Sequence, residues 1–169
     1  CQANGIDMTE FVIGYDGIVV ANSNSGVELN LTLGQLFQAV AAKVPSSEAT
    51  NDDCKLINNP YTKWSDIDVS LPNISIEVLG PPPTSGTRDA FVELAMEGGA
   101  KSFECLNAMK KADKNKWEAV AHGMREDGKW IDAGENDNLM VSKLVANPDA
   151  IGVFGCLLYT SDAADELCR

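Results

Sequence analysis

The stretch NISIEVLGPPPTSGTRDAFVELAM, residues 73–96, constrains the fold more than any other part of the chain. From Asn73 to Gly80 apolar and polar residues alternate, the period-two pattern of a strand. Pro81, Pro82 and Pro83 follow, and because proline has no N–H to give to a ladder the strand must end there. Thr87 to Met96 then reads as a helix. Strand, turn and helix in that order form a βα unit, and in open α/β sheets ligands gather beyond the carboxyl ends of such strands.

The turn itself carries chemistry. With three prolines before it, the donors must come from Ser85, Gly86, Thr87 and Arg88, at a helix start where unpaired amides point outward. Gly86 lets an oxyanion approach the backbone closely, and the hydroxyls of Ser85 and Thr87 add donors suited to phosphate or sulfate. Arg88 is out of place by itself, because a helix N-terminus carries about half a positive charge and favours Asp or Glu, as at Asp89. Two readings stand: an anion at the helix start reverses the local sign, or Arg88 pairs with a surface carboxylate such as Asp89 or Glu93. The segment is not a P-loop, since Gly80 and Gly86 are too far apart and no Gly-Lys-Ser/Thr follows.

Charge narrows the choice of partner. The chain has 169 residues, 44% of them hydrophobic, enough for one globular domain or lobe with a core. Its net charge of -12 repels phosphate backbones and anionic membrane surfaces, which argues against nucleic acid as a partner. An anion would have to be held by local, aimed donors. No apolar run approaches the roughly 18 residues that span a bilayer. Five cysteines lie far apart with no C-x-x-C pair, so no metal site is implied and any disulfide is unassignable from spacing.

The remaining pattern suits an α/β sheet. EFVIGYDGIVVANS, residues 10–23, reads as two short strands or one bent strand, and LTLGQLFQAVAAKVP as a core-facing helix with Thr32 as cap and Pro45 as stop. Residues 46–63 are polar and read as a surface loop. Helices are expected over 101–112 and 115–124, a short strand at KWIDAG, a helix over 135–148 and a buried strand at AIGVFG, residues 150–155. His122, the single histidine, would have to be the base if Ser85 were a hydrolase nucleophile, but no G-x-S-x-G elbow is present and the residue reads as a solvated helix histidine. REDGKWIDAGENDN fails the calcium-loop pattern, because Lys129 and Ile131 stand where oxygen ligands belong. Within it Asn136, Asp137 and Asn138, together with Thr84, are candidates to line a cleft.

GYDGIVVANS, LTLGQLFQAVAAKVP, WSDIDVSLPNISIEVLGPPPTSGTRDAFVELAMEGG and REDGKWIDAGENDNLMVSKLVANPDAIGVFG together resemble the phosphate-binding proteins of bacterial phosphate ABC transporters, the PstS type of periplasmic solute receptor. The resemblance runs nearly continuously from about Ile6 to Gly155. It implies an α/β fold of the type II periplasmic-binding (Venus-flytrap) class, in which a phosphate is clamped between two lobes. It also implies a monomeric, non-enzymatic, periplasmic receptor that needs no cofactor and delivers phosphate to a membrane permease. The family's Ser-Gly-Thr corresponds to Ser85, Gly86 and Thr87. The arginine and aspartate that precede it in better-known relatives are replaced here by Pro81 and Pro83, and Arg88 is the expected substitute. Receptors for other tetrahedral oxyanions such as sulfate, and a Ser85-dependent phosphatase, are the alternatives. On this resemblance residues 1–155 form mainly the second lobe and hinge region, the first lobe would precede Cys1, and residues 156–169 are a tail foreign to the fold.

Overall fold

The computed structural model describes Phe11 and residues 17–155. The chain runs through β1 (Ile18–Asn22), α1 (Leu33–Val40), a hairpin of β2 (Lys43–Pro45) and β3 (Leu56–Asn58), the single turn α2 (Trp64–Ile67) and β4 (Val78–Gly80). Next comes α3 (Gly86–Phe91), continued by a π-wound stretch, Val92–Met96, into α4 (Glu97–Ala100). The order then is α5 (Glu104–Ala112), α6 (Lys114–Ala121), β5 (Trp130–Asp132), α7 (Asp137–Ala146) and β6 (Ile151–Gly155).

The central sheet has the order β1-β6-β4-β5. β4 lies parallel to both β5 and β6, whereas β1 runs antiparallel to β6. The carboxyl ends of β4, β5 and β6 therefore emerge at the same edge. Side-chain alternation along these strands builds two cores, one on each face. Val78, Ile151 and Val153 join Phe37, Trp64, Phe91, Met96, Leu106 and Trp117 on the face covered by most of the helices. Leu79 and Phe154 pack with Met140 and Leu144 of α7 on the other. The expected α/β sheet flanked by helices is the fold found.

Local chemistry explains most boundaries. Thr32 caps α1 with a reciprocal pair: the Gln35 amide donates to Thr32 Oγ1 at 3.2 Å, and the Thr32 amide donates to Gln35 Oε1 at 2.9 Å. The helix that opens at Gly86 runs past the expected stop at Met96, because Gly98 and Gly99 serve close packing there and do not end it. A Cβ at Gly99 would lie 2.2 Å from the Leu33 carbonyl oxygen and 2.5 Å from Phe37 Cβ, so only glycine lets this helix cross α1 so closely.

One expectation needs correction. Residues 46–63 are not all loop, since Leu56–Asn58 pairs with Lys43–Pro45. With Ile57 and Asn58 exposed and Leu56 half-buried, this strand shows too little alternation to stand out from its polar flanks. The same loop holds Cys54, which forms a disulfide with Cys105 of α5 at a Cα–Cα distance of 5.1 Å. The first part of the expected N-terminal strand pair, and the tail after Gly155, lie outside the described residues.

Candidate functional site

β4 ends at Gly80, and Gly80 is small for a reason. A Cβ there would come within 2.0 Å of Trp130 Cζ2, so the indole of β5 lies directly against the β4 backbone. The proline turn then carries the chain to Ser85, whose amide donates to the Pro82 carbonyl at 3.0 Å. Ser85 is the N-cap of α3 in extended conformation, yet its side chain makes no capping bond. The first amide of this helix with a backbone acceptor is that of Asp89, which donates to the Ser85 carbonyl at 3.2 Å. Among the described residues, the amides of Gly86, Thr87 and Arg88 have no backbone acceptor, as expected of a helix's first turn. A Cβ at Gly86 would meet nothing within 4 Å, so the space beside this glycine is open.

Neighbouring elements complete the edge. Gly155, the last residue of β6, lies beside Thr87: a Cβ on it would be 3.4 Å from Thr87 Oγ1. Thr84 Oγ1 donates to Glu135 Oε1 at 3.1 Å, which ties the β4–α3 turn to the β5–α7 turn. Asn136 caps α7, accepting from the Leu139 amide at 3.2 Å, and so spends its carbonyl oxygen on the helix. Asn138 is exposed, and its backbone carbonyl accepts from the Ser142 hydroxyl at 2.9 Å. Asp137 is half-buried, and burial holds its carboxyl above the ordinary aspartate range. The structure thus gathers Ser85, Gly86, Thr87 and Arg88 at one helix start and brings Thr84 within reach of the 135–138 turn. Glu135 and Trp130 escape a reading of the sequence, because each owes its place to strand pairing between segments 50 residues apart and neither belongs to a motif.

Arg88 makes no ion pair within 4 Å among the described residues, so the surface pair with Asp89 or Glu93 is not formed. Its guanidinium instead lies over Trp130, Cζ 5.0 Å from the ring centroid, and Nη1 donates to the Pro81 carbonyl at 3.4 Å. Burial pulls its pKa below the ordinary arginine value, against the opposing pull of Asp132, Asp89 and Glu126. The arginine remains a cation lying over an aromatic ring, and among the described residues the one hydrogen bond of its guanidinium is that from Nη1 to the Pro81 carbonyl.

His122 stands elsewhere. Its Nε2 is 3.0 Å from Glu97 Oε1, at the start of α4. Glu97 is eleven residues beyond Gly86 along the helix, about 16 Å at 1.5 Å per residue. Burial alone would raise the Glu97 pKa, but the hydrogen bond from His122 and the charges of Lys110 and Lys101 bring it below its ordinary value. The structure therefore brings no histidine to Ser85.

Comparison with known proteins gives this geometry a lineage. Protein SphX of Synechococcus elongatus is 25% identical over 159 residues, covering 94% of this chain and 36% of its own length. A structure of a possible phosphate binding protein from Planctomyces limnophilus superposes with a TM-score of 0.55 at 22% identity, over 97% of this chain and 44% of that one. PstS from Borrelia burgdorferi gives 0.52 at 16% identity, over 89% of this chain and again 44% of the other. The chain thus spans less than half the length of these relatives. A family model described as a PBP superfamily domain matches residues 1–160, and with the two-faced sheet and the open helix start at its edge the chain belongs to the PBP superfamily.

Proposed function

We propose that this chain is one lobe of an exported solute receptor that captures inorganic phosphate and passes it to a membrane permease. The observation that carries the reading is the helix start at Ser85. Three amides without backbone acceptors among the described residues, two hydroxyls and an arginine belong to one helix start beyond the carboxyl ends of β4 and β6, with open space beside Gly86. Such a set is built for a tetrahedral oxyanion: short donors match its oxygens, and the helix dipole and Arg88 match its charge.

Two further points support the reading. The Planctomyces structure is described as a possible phosphate binding protein, and the Borrelia one as PstS, the type this sequence resembles. The Cys54–Cys105 disulfide suits an oxidising compartment outside the cytoplasm. A Ser85-dependent hydrolase would need a base within hydrogen-bond reach, and His122 is held by Glu97 far along the helix.

Titration of the isotope-labelled chain with inorganic phosphate, followed by NMR, tests the proposal. The amide resonances of Gly86, Thr87 and Arg88 should shift together along one binding curve. In a two-lobed parent that encloses the anion, Arg88→Ala should weaken binding by roughly tenfold to a few hundredfold, since a charge-assisted hydrogen bond contributes about 1.5–3 kcal/mol, and in this chain alone the loss should be smaller. Equal shifts with sulfate would make the chain a general oxyanion receptor, and turnover of a chromogenic phosphate ester would restore the hydrolase. No shift at these amides with millimolar phosphate would end the proposal.

A further inference from the structure

Arg88 reaches its position by leaning on one residue, Trp130, and the surroundings of that residue show that the indole is itself fixed. Its ring lies against Gly80 on β4, where even a methyl group would collide with it. Phe91, one turn along from Arg88 on α3, stacks against it at a centroid distance of 5.4 Å. Register pairs Trp130 with Val78 and Asp132 with Gly80, so the sheet's own hydrogen bonds set the height of the ring. Trp130 is 7% exposed. The guanidinium covers part of what remains, 5.0 Å from the ring centroid, with Nη1 directed to the Pro81 carbonyl.

From this we infer that Trp130 is the positioning residue of the anion site: a rigid aromatic platform that fixes the Arg88 guanidinium and keeps water from one of its faces. The inference rests on the reading of Arg88 as an anion donor. A free arginine at a helix start repels the positive end of its own helix and has four side-chain torsions in which to swing away. The indole quadrupole attracts the cation and offsets that repulsion, with Trp the strongest of the aromatic partners. The contact with the ring restrains the guanidinium, and the donors not spent on the Pro81 carbonyl are left for an oxyanion. Asp132, two residues further along β5, adds a negative charge whose field Arg88 feels, while Asp89 and Glu126 act on it from α3 and from the segment before β5.

A double-mutant cycle separates this role from mere packing. The four chains are the unaltered protein, Arg88→Ala, Trp130→Phe and the double variant, each titrated with inorganic phosphate by NMR. Trp130→Phe keeps an aromatic core residue and should lower affinity about two- to fivefold; Trp130→Leu, which removes the π face, should lower it about three- to thirtyfold. In the Arg88→Ala background neither Trp130 change should alter phosphate affinity further, because its effect runs through the guanidinium. A second readout is the Arg88 Nε–H resonance, which should lose its ring-current shift in Trp130→Leu while the amide spectrum elsewhere is retained. If Trp130→Leu does not fold, Trp130→Phe and the double variant still decide the matter. Equal losses in both backgrounds would overturn the inference and leave Trp130 as core packing. An Arg88→Ala chain with unchanged affinity would instead remove the donor reading beneath it.

Discussion

Arg125 is 4% exposed and has hydrogen-bond partners on all three guanidinium nitrogens, a contrast with Arg88 that spacing alone does not show. Nη1 donates to the carbonyls of Ala39 at 3.0 Å and Tyr61 at 2.9 Å, and Nε donates to Asp127 Oδ1 at 2.7 Å. It therefore ties the end of α1 to the segment before β4. Arg125→Ala would strand those carbonyls and is expected to cost on the order of 3 kcal/mol in a denaturant melt. The hydrogen bonds from Arg125 hold the Asp127 carboxyl below its ordinary range. Its contribution is thus fully present above the unfolded aspartate pKa of about 3.9 and lost as pH falls through the lower folded value. The melting temperature should accordingly drop on acidification below about pH 4, and Asp127→Asn, already weaker at pH 7, should show a flatter profile in that window; identical profiles would refute the assignment. Gly80→Ala tests the platform at the same scale. Its methyl group would overlap Trp130 Cζ2, so a loss of roughly 1–3 kcal/mol is expected, with a displaced indole resonance.

Among the elements, the loop carrying Cys54 is exposed over residues 50–53, and the disulfide to Cys105 ties it to α5. The bridge closes a sequence separation of 51 residues, for which chain-entropy arguments give about 4 kcal/mol. Reduction should lower stability by about 2–4 kcal/mol in a reversible urea melt, and an unchanged midpoint would show that the bridge adds nothing. Thr32→Ala removes the α1 cap and should cost about 1 kcal/mol. The elements also show what a sequence can reveal. The strand before the prolines, the helix after Ser85, α1, α7 and β6 were all legible, because each carries its own period, cap or breaker. β3, the extension through Gly98–Gly99 and the disulfide were not, because each is decided by a partner distant in the chain. The site divides in the same way. Ser85, Gly86 and Thr87 form a local motif, whereas the position of Arg88 over Trp130 depends on which strand β4 takes as neighbour.

At the scale of the whole molecule, the donors lie along one sheet edge and cover an anion from one side. An oxyanion bound there keeps much of its water, and donors in a high-dielectric setting are each worth less. The 169-residue chain is therefore expected to bind phosphate weakly, and calorimetry giving a submicromolar Kd for this chain alone would contradict that. The carboxylates around the donors have a further consequence, for kinetics. Asp89, Glu126, Asp132 and Glu135 stand near the helix start on a chain of net charge -12, so a phosphate ion drifts toward its site against an unfavourable long-range field. Added salt shortens the reach of that field to about 10 Å at 0.1 M, while the donors at contact distance are screened much less. If the proposed site takes phosphate, encounter should thus become faster as ionic strength rises, the reverse of the slowing seen when opposite charges steer association, and capture would be readiest in brackish surroundings.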